Sequence, residues 1–325
     1  MASRGMTIVV THFAWLKKNC RYITSSRSEL LLLSKHSSPI IIIGAARSGT
    51  KMLRAALATA PELAAFRFDI NYIWKYRNYD IPHDELAVED LTVSICRFIR
   101  ARFRKLLLKS NSRRVLEKTV SNSLRVKFVR AVFPESKIIH IYRDGRDVAA
   151  DARLCWESSM FSDRIQTKGD LCHKIIDFPL SAAWPYLLNY FSANTARLLT
   201  KKKQLKSWGP RFKGIDDAIE KQSLLQVCGM QWNRSIELSI DQLSGLKYGH
   251  DYISVRYEDL VQSPVQELRK IADFIHIEDF APIEEYAKKN ITTRYVGLWE
   301  KALSSEELKA LLPYIDRHLH ILGYD

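Results

Sequence analysis

Residues 40–53, IIIIGAARSGTKML, carry a block of isoleucines into Gly44 and then into a polar loop, Arg47 to Thr50, that opens a helical pattern. Backbone N–H groups at such a helix start, together with the helix dipole, hold a phosphate or a sulfate. Gly44 and Gly49 have the spacing of a Walker A loop, but the next pair is Thr50-Lys51, where that motif requires lysine and then serine or threonine. The Walker lysine and the magnesium-binding hydroxyl occupy fixed places on the first helical turn, so this reads as a phosphate loop without the usual metal apparatus. The plain alternative is a strand, a turn and a helix with a solvated arginine.

Three further stretches carry candidate chemistry. SKIIHIYRDGRDVAAD (136–151) ends an apolar strand at Arg143, and a planar guanidinium fork there suits two phosphate oxygens at once. RRVLEKTVSNSLRVKFVRAVFPES (113–136) ends a strand at Lys118, a cation whose bland reading is a surface ion pair with Glu117. For a general base, Asp69 in APELAAFRFDINY (60–72) is the leading candidate because its strand points to the same sheet edge, with His83, Glu117 and His140 as alternatives. His140 alternates with apolar residues and reads better as a packed core histidine.

These residues need a scaffold that brings strand ends together. From Pro39 onward short apolar runs alternate with helical periodicity, the pattern of an α/β fold around a mostly parallel central sheet. Strands are expected at about 40–44, 113–118, 136–143 and 251–256, and helices at about 49–59, 86–107, 122–132, 145–155, 222–243, 264–275 and 305–320. Uninterrupted isoleucine-rich strands imply helices on both faces of the sheet. Residues 1–38 read as an N-terminal leader segment and 39–325 as the main domain, in which about 157–221 breaks the alternation and reads as a lid or an acceptor-binding insertion.

Composition narrows the class. The 325 residues are 46% hydrophobic and 26% charged, enough for one large core, and no run approaches the roughly 18 apolar residues of a membrane span. MASRGMTIVVTHFAWLKKNC lacks the apolar core and cleavage site of a secretory signal, although Phe13, Trp15, Leu16, Lys17 and Lys18 can make peripheral contact with a membrane surface. The five cysteines form no CxxC pair, so neither a disulfide framework nor a zinc site is indicated and a cytoplasmic setting is expected. A formal charge of +14 attracts anions, but the basic residues are dispersed and no zinc-finger, basic-region or RNP-type motif is present, so nucleic acid is not expected as a partner.

In their order these segments resemble the sulfotransferases that use 3'-phosphoadenylyl sulfate (PAPS), most of all the bacterial and the carbohydrate- or tyrosylprotein-directed members. Arg47, Ser48, Gly49 and Thr50 match the family's 5'-phosphosulfate loop, with Lys51 where a second threonine is usual. Arg143 matches the arginine of the 3'-phosphate site. The serine normally found eight residues later is Asp151 here, a carboxylate that either turns away, is neutralised by Arg146 or Arg153, or marks a changed donor site. Lys118-Thr119, Phe133-Pro134, Tyr257-Glu258-Asp259-Leu260 and the closing TTRYVGLWEKALSS with its final Leu-Gly-Tyr continue the likeness. Within it, Arg294 or its neighbouring backbone reaches the 3'-phosphate, Glu258 and Asp259 are structural, and Trp232 is a core aromatic.

The resemblance implies a P-loop NTPase-like sulfotransferase fold and direct in-line transfer of a sulfuryl group from PAPS to a hydroxyl or amine. Arg47 and Lys118 grip the transferred group, adenosine 3',5'-bisphosphate is the product, and no metal is required. The acceptor leans towards a saccharide or lipid-linked saccharide, with a protein tyrosine or a small alcohol open. The competing readings are a P-loop kinase or other nucleoside-triphosphate enzyme, against which the Thr50-Lys51 order speaks, and a non-catalytic module that binds acidic glycan, lipid or nucleic acid. The run Lys201, Lys202, Lys203, Lys206, Arg211 and Lys213 suits an anionic polysaccharide or merely a solvated loop.

Overall fold

The computed structural model describes residues 38–110, 112–161 and 208–324. The expectations placed on the leader, on most of the insertion and on Lys201 to Lys206 lie outside the described residues.

Five strands form one sheet in the order β2-β3-β1-β4-β5: β1 (Ile40–Ile43), β2 (Leu63–Ala65), β3 (Arg114–Lys118), β4 (Lys137–Tyr142) and β5 (Tyr252–Arg256). Every pairing is parallel, with Ile42 beside Lys118 on one side of β1 and Ile43 beside His140 on the other. The β-branched run Ile40–Ile43 fits a pleated centre strand, and all four residues are fully buried. Ile40 and Ile42 pack with Leu53, Leu57, Leu260 and Ile271, whereas Ile41 and Ile43 pack with Trp74, Ile95, Phe128 and Val129. Burial on this scale contributes about 1.5–3 kcal/mol per side chain, so truncating one of them to alanine costs about 2–5 kcal/mol.

Helices cover both faces, as expected. A third apolar cluster joins α5 (Gly145–Phe161), α7 (Leu224–Leu243) and α12 (Ser305–Ile321) through Trp156, Trp232, Leu311 and Ile315. The two later helices start at reciprocal caps, Ser223 with Gln226 and Ser304 with Glu307, each side chain accepting from or returning to the other residue's N–H. Residues 208–221, within the stretch read as an insertion, also belong here: Phe212 and Ile215 are buried in this cluster.

Several elements differ from expectation, among them the short helices Asn71–Trp74, Ile215–Lys221, Tyr257–Gln262 and Trp299–Ala302, and three are instructive. β2 was not foreseen because three residues, two of them alanine, give no periodicity to detect. The helix expected from about 86 begins at Val93, because Thr92 accepts from the Ile95 N–H at 3.3 Å and only a short turn, Val88–Asp90, precedes it. A helix over Ala281–Asn290 was missing from the sequence reading, its pattern being too polar to stand out.

After β1 the chain passes to β2 and β3 on one side and then crosses to β4 and β5 on the other. The carboxyl end of β1 is therefore the switch point of the sheet, where open α/β folds hold ligands. No helix among the described residues is long and apolar enough to cross a membrane.

Candidate active site

The loop from Gly44 to Gly49 leaves β1 at this edge and feeds α1 (Thr50–Leu57). It can hug the neighbouring elements because two positions lack a side chain. A Cβ on Gly44 would lie 2.3 Å from the Ile141 carbonyl oxygen, and one on Gly49 (φ 85°) would lie 2.5 Å from the Tyr257 ring. Arg47 itself adopts the left-handed region at φ 73°, uncommon for a branched polar chain, and its carbonyl accepts from Arg143 Nη1 at 3.0 Å. Ser48 N–H donates to the Ala45 carbonyl at 3.2 Å, while its buried Oγ has no hydrogen-bond partner among the described residues. The N–H groups of the first turn precede the first helical bond, Leu53 N–H to the Gly49 carbonyl, and are the ones a helix leaves for an anion.

Arg143 follows β4 and is only 2% exposed. Its Nη2 lies 3.2 Å from Asp147 Oδ2 and also donates to the Tyr295 carbonyl, and its Nη1 lies 3.5 Å from Asp151 Oδ2. The guanidinium carbon stands 4.7 Å from the centre of the Tyr257 ring, so this ring is wedged between Gly49 and Arg143. Trp232 Nε1 donates to the Arg143 carbonyl at 3.0 Å, and Asp144 N–H donates to Glu258 Oε1 at 3.1 Å. Tyr324 OH donates to the other oxygen of Glu258 at 2.6 Å.

Asp151 faces this centre. Its Oδ1 pairs with Arg47 Nη2 at 3.0 Å and its Oδ2 with Arg143. Burial acts to lower the Arg47 pKa, but the Asp151 carboxylate more than offsets it and the value rises above the ordinary one. Of the three sequence expectations for Asp151, neither turning away nor neutralisation by Arg146 or Arg153 describes it. Arg146 Nη2 pairs with Asp144 at 2.8 Å and Arg153 with Glu307 at 2.5 Å.

On the other side of β1, Lys118 Nζ pairs with Asp69 Oδ1, and the Val120 N–H donates to Asp69 Oδ2 at 3.3 Å. The bland alternative for Lys118, a surface ion pair with Glu117, is not formed, because strand alternation turns Glu117 into the core. There it accepts from Asn122 Nδ2 at 2.9 Å and from the Thr119 hydroxyl, and burial, with the Asp69 charge adding, pushes its pKa up to about 7 against those hydrogen bonds. Asn122 Oδ1 accepts from buried Arg125, which also donates to Asn71 Oδ1; Asn71 Nδ2 then donates to Asp84 at 2.9 Å. Burial works to raise Asp84, yet Arg125, the Arg211 N–H, Asn71 and Ser121 together hold it below the usual carboxylate range. This network stiffens residues 69–71 and 118–125, and so positions the Lys118–Asp69 pair.

Thus Arg47, Ser48, Gly49, Thr50 and Arg143 meet above β1 and β4, with Lys118 and Asp69 at the adjoining end of β3. Lys51 is exposed on α1. The Arg294 side chain is exposed, with its guanidinium 5.7 Å from the Tyr295 ring, and it is the Tyr295 carbonyl that reaches Arg143. His140 is a core residue, its pKa lowered to about 4 by burial, and Trp232 is likewise in the core. Sequence reasoning missed Asp147, although its spacing of four from Arg143 was visible, and it also missed Tyr257 as the spacer between loop and arginine. The Asp84–Arg125 network had no local signal at all.

A parallel sheet with a tight loop and a helix start at its switch point, flanked by basic residues at two strand ends, defines an α/β protein of P-loop-like fold. Residues 39–198, just under half of the chain, match the model of the Sulfotransferase family. Mouse (Mus musculus) carbohydrate sulfotransferase 2 is 25% identical over 211 residues, which are 58% of this chain and 35% of that protein. The human protein of the same name is 24% identical over 213 residues, with the same coverage. The chain therefore matches about a third of the length of these curated relatives. Among solved structures, the sulfotransferase domain from the curacin biosynthetic pathway superposes with a TM-score of 0.52 at 15% identity, covering 89% of this chain and 98% of that one. The sulfotransferase domain of the Synechococcus olefin synthase gives 0.50 at 15% identity, with 89% and 97% covered. These likenesses show the fold.

Proposed function

We propose that the chain transfers a sulfuryl group from PAPS to a hydroxyl, or an amine, of a saccharide or glycoconjugate. One observation carries the reading: Arg47, Lys118 and Arg143 come from three separate elements to one sheet edge, around the N–H groups of the first turn of α1. The residues present suit the donor. The loop approaches its neighbours too closely for side chains at Gly44 and Gly49, and Ser48 Oγ and Arg143 Nε are buried polar atoms with no hydrogen-bond partner among the described residues. In this reading Arg47, Ser48, Gly49, Thr50 and Lys51 attend the 5'-phosphosulfate and Arg143 the 3'-phosphate, with the 295–299 backbone, rather than the Arg294 side chain, closing over it.

The acceptor oxygen attacks sulfur as the bond from sulfur to the 5'-phosphate oxygen breaks, and adenosine 3',5'-bisphosphate leaves. Lys118 stabilises the charge on that leaving oxygen, and Asp69 takes the acceptor proton. The two are paired in the structure, so Lys118 moving to the donor frees the Asp69 carboxylate to act as base. A cavity of about 240 Å³ is lined by Phe68 and Ile70, the chain neighbours of Asp69, by Phe66 and Tyr72, and by the basic Arg67, Arg102 and Lys109. Aromatic faces stack on sugar rings and the cations suit acidic substituents, which supports a saccharide, as do the curated relatives' names.

The test is transfer of radiolabelled sulfate from PAPS to a panel of neutral and acidic oligosaccharides, with ATP as the control donor. Transfer is expected with PAPS alone, and Lys118→Met should lower kcat about 100-fold or more with little change in the Kd for adenosine 3',5'-bisphosphate. Failure to bind that bisphosphate in preference to adenosine 5'-monophosphate would overturn the reading.

A further inference from the structure

We infer that Asp151 is a resident counter-ion of the donor site, a carboxylate that occupies Arg47 and Arg143 and so sets how strongly the site takes the 3'-phosphate. The inference rests on the reading of Arg143 as the 3'-phosphate ligand and goes beyond it. Asp147 and Asp151 stand one helical turn apart on α5, on the face turned to Arg143, and both reach it. Two guanidiniums and two carboxylates meet there, so the cluster has no net charge to offer an incoming phosphate.

The four groups are not equally fixed. Arg143 and Asp147 are 2% and 1% exposed, and Asp147 also accepts from the Gly297 and Trp299 N–H groups, both at 2.9 Å. That half is locked. Arg47 and Asp151 are 42% and 21% exposed, so this is the half that can open. A 3'-phosphate entering beside Arg143 meets the Asp151 carboxylate, and binding requires Arg143 to exchange that carboxylate for phosphate oxygens while Arg47 is released to the 5'-phosphosulfate. Asp151 also holds the Arg47 side chain in place before the donor arrives, which favours binding. Repulsion is the larger effect, because the donor's 5'-group takes over from the carboxylate as the partner of Arg47 and keeps that order in the complex.

Calorimetric titration of the full chain with adenosine 3',5'-bisphosphate and with adenosine 5'-monophosphate tests this, using the wild type, Asp151→Ser and Asp151→Asn. Thermal melts of the variants establish that they fold. Asp151→Ser should tighten bisphosphate binding about tenfold or more while changing monophosphate binding less than about threefold, with Asp151→Asn in between. A merely structural role would weaken both nucleotides together. Wild-type preference for the bisphosphate that is equal or reduced in both variants overturns the inference and leaves the donor reading intact. No preference for the bisphosphate in any of the three proteins overturns both.

Discussion

Glu117 shows how one buried side chain links the candidate site to the stability of the fold. It lies next to Lys118 in β3, on the opposite face, and burial raises its pKa from the usual carboxylate value to about 7. A raised folded-state value means that Glu117 binds a proton more readily in the folded protein. Its stabilising contribution is full below the unfolded-state pKa and is lost as pH rises through about 7. Denaturant unfolding of the wild type and Glu117→Gln across that range should show the wild type losing about 3 kcal/mol relative to the variant between acidic and mildly alkaline pH. His140 acts in the opposite sense. Its value is lowered to about 4, so its contribution is present above the ordinary histidine pKa and lost as pH falls towards 4. A flat difference between wild type and Glu117→Gln would mean that the Asn122 and Thr119 hydrogen bonds outweigh burial and keep Glu117 ionised.

At the scale of elements, the donor side depends on the contact between α5 and α7. Gly145 begins α5 directly against the Trp232 indole, where a Cβ would come within 2.8 Å of the ring, and the same indole donates to the Arg143 carbonyl. Gly145→Ala must therefore push Trp232 away and with it the hydrogen bond that fixes the end of β4. A loss of about 1–3 kcal/mol is expected in denaturant unfolding, together with weaker binding of adenosine 3',5'-bisphosphate. Gly229 provides a contrast in the same packing layer, because a Cβ there would meet the flexible end of Leu311, at 2.5 Å, rather than a rigid ring. Gly229→Ala should cost stability without the matching loss of nucleotide affinity. Equal effects of the two changes on binding would detach Trp232 from the site.

The whole molecule adds a field and a closure. With a formal charge of +14, the chain attracts anions from a distance, and such attraction is screened by salt. Raising salt from roughly 0.05 M to roughly 0.5 M should weaken bisphosphate binding several-fold while leaving the unliganded melting temperature almost unchanged. The C-terminal segment closes over the same edge, since Asp147 holds the Gly297 and Trp299 N–H groups and Tyr324 is tied to Glu258, which in turn holds Asp144. Nucleotide binding should therefore stabilise the chain as one unit. Adenosine 3',5'-bisphosphate at about 100 times its Kd is expected to add about 2.7 kcal/mol, an increment that Arg143→Ala removes.

The sequence by itself determined what local pattern can encode. A four-isoleucine run can only be a strand buried on both faces, and its hand-over to Arg47-Ser48-Gly49-Thr50 marked a helix start suited to an anion. The strand ends at Lys118 and Arg143 and the two serine-capped helices were legible for the same reason: the signal sits within a few residues of the feature. What the tertiary structure alone decided is who faces whom. Glu117 and Lys118 are adjacent in the chain, yet one enters the core and the other meets Asp69, 49 residues away. Asp151 read as a departure that turns away, is neutralised by Arg146 or Arg153, or marks a changed site, and the fold aims it at Arg47 and Arg143, because one comes from the loop after β1 and the other from the end of β4. The Tyr295 carbonyl, not the Arg294 side chain, arrives at Arg143 by a contact across 152 residues. Periodicity and capping are properties of neighbouring residues, whereas charge pairing at a sheet edge depends on strand order, and strand order is settled only when the whole core packs.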